Sequence, residues 1–174
     1  MISKTKKNIK TIFLTGATGL VGSYLLKTFL KNNYKVYALA RSKDNRNARE
    51  RVFEVLKFWD KNVLLKKSNN LIVLEGDITR KNLGLDKPNV DLLKREVEEI
   101  FHCAAETKFN APLKEIRKIN VEGTMNVLEL AVKCSKNGIL KKVNHISTAY
   151  VCGDYKGVFK EDKLGSINRA TTKI

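Results

Sequence analysis

Acidic residues, proline and cysteine are all in short supply in this chain. Its 174 residues include 18 Asp and Glu against 34 Lys and Arg, a formal charge of +16, with 2 Pro, 10 Gly and 3 Cys. Three cysteines, Cys103, Cys134 and Cys152, are an odd number without metal-ligand spacing. They exclude a disulfide scaffold and give no metal site, and they fit buried thiols in a reducing, cytoplasmic compartment. Few prolines and glycines, with 43% hydrophobic residues, exclude intrinsic disorder and collagen-like repeats. No apolar run approaches the roughly 20 residues of a membrane span. The basic start, MISKTKKNIK, leads only into the short TIFLTG, which is not a secretory signal. The length fits a single domain over residues 1–174, small for a complete two-domain enzyme.

The positive charge raises nucleic acid as a partner. Of the basic residues, 26 are Lys and 8 are Arg, spread along the whole chain. The denser groups, Lys4/Lys6/Lys7, Lys66/Lys67 and Lys141/Lys142, fall near expected element ends. Nucleic-acid binders concentrate basic and aromatic residues on one face, so no nucleic-acid partner is expected. A diffuse basic surface suits solubility, and it attracts phosphorylated cofactors or an acidic carrier protein.

Short β-branched runs alternate with amphipathic stretches, the pattern of βαβ units and a parallel sheet. Strands are expected at 11–15, 35–40, 71–74, 100–103 and 143–147. Helices are expected from Leu20 to Lys31, from Ala48 to about Lys57, from near Pro88, and from about Ile116 to Lys136. The first presents Val21, Leu25, Leu26, Phe29 and Leu30 on one face. The last carries Ile119, Val121, Met125, Leu128, Ala131 and Val132. Phe53, Phe58 and Trp59 are expected to pack the second helix, and residues after Gly153 read as loop. The fold class is α/β, a Rossmann-type doubly wound sheet of strand order 3-2-1-4-5, truncated before a substrate-binding portion.

Gly16, Gly19 and Gly22 follow the first strand and open the first helix. The first permits a tight turn, and the second leaves backbone open to a pyrophosphate. The third lets helix and sheet pack closely, while the helix N-terminus supplies N–H donors. Their spacing is G-x-x-G-x-x-G rather than the general G-x-G-x-x-G, and a ligand-free structural turn is the alternative. At the end of the second strand stands Arg41, with Lys43 beyond it and Arg51 one helical segment later. A basic residue there accommodates a 2′-phosphate, where an acidic one would hold a 2′-hydroxyl, which argues for NADP(H). Asp77 and Ile78 follow the third strand beside an expected adenine site; the alternative for Asp77 is capping its own turn. His102 and His145 are expected as satisfied core histidines in buried strands, and burial makes Cys103 a poor nucleophile.

Six segments together resemble the extended, atypical branch of the short-chain dehydrogenases/reductases: thioester reductase domains and fatty acyl-CoA reductases. They are TGATGLVGSYLL at 15–26, ALARSKDNRNARERV at 38–52, EGDITRKNLGL at 75–85, FHCAAETKF at 101–109, KINVEGTMNVLELA at 118–131 and HISTAYVCGD at 145–154. The resemblance implies that Thr15 through Gly22, with Thr18 and Leu20 among them, hold the pyrophosphate. It further implies that Arg41 and Arg51 hold the 2′-phosphate and that Asp77 and Ile78 flank adenine. Cys103, Ala104 and Ala105 would run past the nicotinamide ribose, and Asn120 would brace the adjoining helix. Thr148 matches the hydroxyl residue that hydrogen-bonds the substrate carbonyl. Such enzymes add a Tyr-x-x-x-Lys dyad, absent here: Tyr155 is followed at four positions by Phe159, Tyr150 by Asp154, and Lys160 is misplaced. The implied activity is NADPH-dependent reduction of an acyl thioester, on CoA or a carrier protein, to aldehyde or alcohol. As this fragment the chain is expected to be inactive. A sugar-nucleotide epimerase or dehydratase chemistry and a non-catalytic NADP-binding regulatory module are the alternatives.

Overall fold

The computed structural model describes residues 9–60, 68–108, 110–148 and 155–160. Cys152, Tyr150 and most of the loop expected after Gly153 lie outside the described residues. Five parallel strands form one sheet: β1 (Thr11–Thr15), β2 (Lys35–Ala40), β3 (Leu71–Glu75), β4 (Glu99–His102) and β5 (Lys142–His145), in the order β3-β2-β1-β4-β5. The expected order is the observed one, and β1 lies at its centre with every residue buried.

Period-two alternation within the strands divides the core. Ile12 and Leu14 face one layer with Val36, Ala38, Leu26, Phe29, Leu30, Val52 and Leu56. That layer is built by α1 (Leu20–Lys31) and α2 (Ala48–Trp59). Phe13 faces the other with Tyr37, Leu39, Val90, Leu93, Ile100, Val127 and Leu130, against α3 (Lys87–Glu96) and α5 (Gly123–Ser135). Each fully buried Leu or Phe contributes about 1.5–3 kcal/mol, so both faces of the sheet must be covered for the fold to hold. Side chains define two of the helix starts. Asn47 and Glu50 form a reciprocal capping box on α2, and Asp86 caps α3 with Pro88 in the first turn.

Several expectations about burial fail. Val21 is half exposed, and Phe58, expected to pack α2, is 80% exposed. Phe58 lies in the last turn of α2, its ring 5.2 Å from that of Trp59 in an edge-on arrangement. His145 is exposed rather than in the core, because β5 pairs only with β4 among the described strands. The expected long helix is present and continuous over 113–135, but it changes type along its length, from a single turn α4 (Leu113–Ile116) through a π-helical segment Arg117–Glu122 to α5. Its buried stripe is Gly123, Val127, Leu130, Ala131 and Cys134, while Val121, Met125, Leu128 and Val132 are exposed. The two apolar sets are offset by two residues, about 200° around a helix, so periodicity alone cannot choose between them.

Candidate functional site

The strand order reverses between β1 and β4, and the helices that follow them pack on opposite faces of the sheet. Such a switch point opens a crevice. Here it is a cleft of about 220 Å³ lined by Gly16, Thr18 and Gly19 from the β1–α1 turn, Arg41 and Arg51, Asp77 to Thr79, and Cys103 to Glu106. Ligand pockets span roughly 300–1,000 Å³, so these residues enclose only part of a ligand as large as a dinucleotide.

The three glycines have different jobs. Gly16 has φ +71°, and a Cβ there would lie 2.6 Å from the Ala104 nitrogen. A Cβ on Gly22 would lie 2.1 Å from the Gly16 carbonyl oxygen, so this glycine seats α1 against the turn. Gly19 is under no such constraint: the nearest atom to its Cβ would be 3.4 Å away. It is the N-cap of α1, with no side-chain cap and no acidic residue in the first turn. The bare start of α1 therefore presents its N–H donors and dipole to the cleft, beside a surface that a methyl group would fill. A pyrophosphate fits that cradle.

Arg41 and Arg51 stand together at the β2 side, the Arg51 guanidinium donating to the Arg41 carbonyl. Arg41 also lies 3.6 Å from Asp77 Oδ2. Asp77 does cap its own turn: Oδ1 accepts from the Thr79 N–H and hydroxyl, each at 2.9 Å. Burial opposes its charge, but those bonds and the nearby Arg41 and Arg80 hold its carboxyl below the ordinary range. Oδ2 is thus an ionised acceptor at the cleft. Ile78 is buried, its side chain against Gly123, where a Cβ would approach within 2.7 Å.

On the opposite wall the backbone of 103–106 is tied down twice. Ala104 N–H donates to the Thr15 hydroxyl at 3.3 Å. Asn120 accepts the Glu106 N–H at 2.8 Å and donates to the Glu106 carbonyl at 3.0 Å. Asn120 sits in the π-helical segment, a local feature frequent at functional sites. Burial pushes the Cys103 thiol up to about 11, so it is inert as a nucleophile.

Of the residues singled out in the sequence, Gly16, Thr18, Gly19, Arg41, Arg51, Asp77, Ile78, Ala104 and Ala105 line the cleft. Thr15 and Gly22 are buried behind it, Asn120 braces its wall, and Leu20 is 75% exposed on α1 outside the lining. Thr148 is exposed beyond β5 and is not among the lining residues. Thr79, Glu106 and Ile119 line the cleft unforeseen; Glu106 lies within the 101–109 segment, and that position was its only signal. Among the described residues no group of His, Cys, Asp and Glu could hold a metal ion, and no helix is long and apolar enough to cross a membrane.

The sequence model of an NAD-binding family described as male sterility protein matches residues 14–172. The chain belongs to that family. It is 35% identical over 148 residues to fatty acyl-CoA reductase 1 of Xenopus laevis, covering 81% of this chain and 28% of that protein. Among solved structures, the terminal R domain of the myxalamid PKS-NRPS biosynthetic pathway superposes with TM-score 0.68 at 30% identity, over 82% of this chain and 36% of that one. Gre2 of Candida albicans, solved in complex with NADPH, superposes with TM-score 0.61 at 25% identity, over 82% of this chain and 38% of that one. The chain thus spans roughly a third or less of the length of the fatty acyl-CoA reductase, and it is an NAD(P)-binding domain of Rossmann type.

Proposed function

We propose that the cleft binds NADP(H) and that the domain serves the reduction of an acyl thioester carried on CoA or on an acidic carrier protein. The observation that carries the cofactor choice is the pair of Arg41 and Arg51 lining the same cleft as the glycine turn. The start of α1 would take the pyrophosphate, the two arginines the 2′-phosphate, and Asp77 Oδ2 the adenine amino group. Backbone at Ala104 and Ala105 would border the nicotinamide ribose. When bound, the nicotinamide supplies the reducing equivalent for a thioester carbonyl. The chain's own part is to bind and orient: fixed N–H donors at α1 meet the phosphates, and Asn120 holds the Glu106 wall. Thr148 would donate a hydrogen bond to the substrate carbonyl. The thioester reading rests on the likeness to the fatty acyl-CoA reductase and the R domain. The basic charge of the chain favours phosphorylated and acidic partners.

Calorimetric titration tests the cofactor. NADPH is expected to bind at least tenfold more tightly than NADH, and Arg41→Ala to remove most of that margin. A charge-assisted contact contributes roughly 1.5–3 kcal/mol, and the exposure of Arg41 places this one toward the lower end. Equal affinity of the unaltered protein for both cofactors would refute the assignment. Competition by acyl-CoA or an acylated carrier for a site adjoining bound NADPH tests the substrate class.

A further inference from the structure

His102 is 1% exposed, yet both of its ring nitrogens are engaged. Nδ1 lies 2.7 Å from the Thr15 hydroxyl at the end of β1, and Nε2 lies 3.0 Å from the Thr124 hydroxyl on α5. The direction of each bond can be assigned. The Thr124 hydroxyl spends its proton on the Asn120 carbonyl at 2.8 Å, so toward His102 its oxygen accepts. Nε2 therefore carries the proton and Nδ1 a lone pair. The Thr15 hydroxyl must donate to that lone pair, which leaves its oxygen to accept the Ala104 N–H. Polarity runs unbroken from Ala104 through Thr15, His102 and Thr124 to Asn120. The opposite tautomer would set two lone pairs against each other at Thr124, whose proton is already given to the Asn120 carbonyl.

The Thr15 end of this chain stands where the glycine turn and the wall at 103–106 meet. A Cβ on Gly16 would lie 2.6 Å from both the Cys103 carbonyl carbon and the Ala104 nitrogen, so the turn and the wall touch through backbone alone. We propose that His102, held as its Nε2–H tautomer, is a positioning residue for the nucleotide: it orients the Thr15 hydroxyl to receive the Ala104 N–H and so fixes that wall against the glycine turn. The proposal rests on the cleft being the nucleotide site. Of the two arms, the Thr15 arm acts on the wall, and the Thr124 arm sets the tautomer. Among the described residues, the titratable group facing the ring is His145 on β5, with ring centroids 5.2 Å apart.

Two substitutions separate the arms. His102→Asn keeps an acceptor near the Nδ1 position and loses the bond to Thr124; His102→Gln keeps a donor near the Nε2 position and loses the bond from Thr15. Each forfeits one buried bond, so similar falls in melting temperature are expected. NADPH affinity should differ: within about threefold of the parent for His102→Asn, and at least tenfold weaker for His102→Gln. Equal weakening, or an order that simply follows melting temperature, would overturn the positioning role. Should either variant fail to fold, Thr15→Val replaces it, with the same tenfold loss expected and parental affinity counting against the proposal. Nitrogen-15 spectra of the unaltered protein provide an independent check, with a protonated Nε2 expected and a protonated Nδ1 contradicting the network. Absence of NADPH binding by the parent would instead reject the reading of the cleft itself.

Discussion

His102 couples residue chemistry to a measurable pH dependence. Burial, with a smaller contribution from His145, lowers its pKa from 6.5 to about 4. The unfolded chain therefore binds a proton near pH 6.5 that the folded protein refuses until about pH 4. Stability from this group is complete above pH 6.5 and is lost as pH falls through that window, by on the order of 2–3 kcal/mol. Urea denaturation at intervals from pH 7.5 to 4.5 should show the decline, and His102→Asn should flatten it. An unchanged slope in that variant would assign the acid sensitivity elsewhere. Asp77, Glu96 and Glu98, whose carboxyls are held below their ordinary range, lose their contributions only at lower pH. At this scale the sequence was informative where type and place coincide: Gly16, Arg41 and Asp77 were legible from their positions at strand ends. It was silent on how side chains divide their hydrogen-bonding capacity. That Asp77 would cap a turn with one oxygen and face the cleft with the other depends on tertiary placement, as does the adjacency of His102 and His145 across β4 and β5.

Turn and helix α1 act as one element, and two of their glycines predict opposite phenotypes. Gly22→Ala forces a methyl group onto the Gly16 carbonyl, backbone that cannot yield without moving the turn. Overpacking of this kind costs about 1–3 kcal/mol, a fall in Tm of roughly 2–12 °C. Gly19→Ala meets nothing in the protein closer than 3.4 Å and has φ −84°, an ordinary value for alanine. Its Tm should stay within a few degrees of the parent while NADPH affinity falls at least tenfold, because the methyl group occupies the pyrophosphate approach. Thermal scans with and without NADPH distinguish the two: at equal concentration the ligand should raise the Tm of Gly19→Ala clearly less than that of the parent. The strands and α1 to α3 were readable because caps, turn residues and hydrophobic period agree there. From 113 to 135 they do not. The π-helical turn shifts the helical phase, and apolar residues lie on both sides of α5, so the choice of face depended on the packing of Val127 and Leu130 against the sheet.

On the scale of the whole molecule, nucleotide binding and turnover are separable. The residues proposed for pyrophosphate, 2′-phosphate and adenine come from the ends of β1, β2 and β3 and, for Arg51, from the start of α2, all before residue 80. Among the described residues, those lining the cleft include no tyrosine and no lysine. Withdrawal of a general acid alone costs about 10²–10⁴-fold, and loss of substrate positioning costs more. Val121 in the π-helical segment and Met125, Leu128 and Val132 on α5 are an exposed apolar stripe among the described residues. The 174-residue chain is expected to bind NADPH saturably, more weakly as salt screens its charge of +16. With an acyl-CoA or an acylated carrier protein added, NADPH oxidation should stay at the rate of the protein-free control. Turnover well above that control, followed at 340 nm and abolished by Arg41→Ala, would mean that the proton donor is a group already present in this chain and that Thr148 does not act alone.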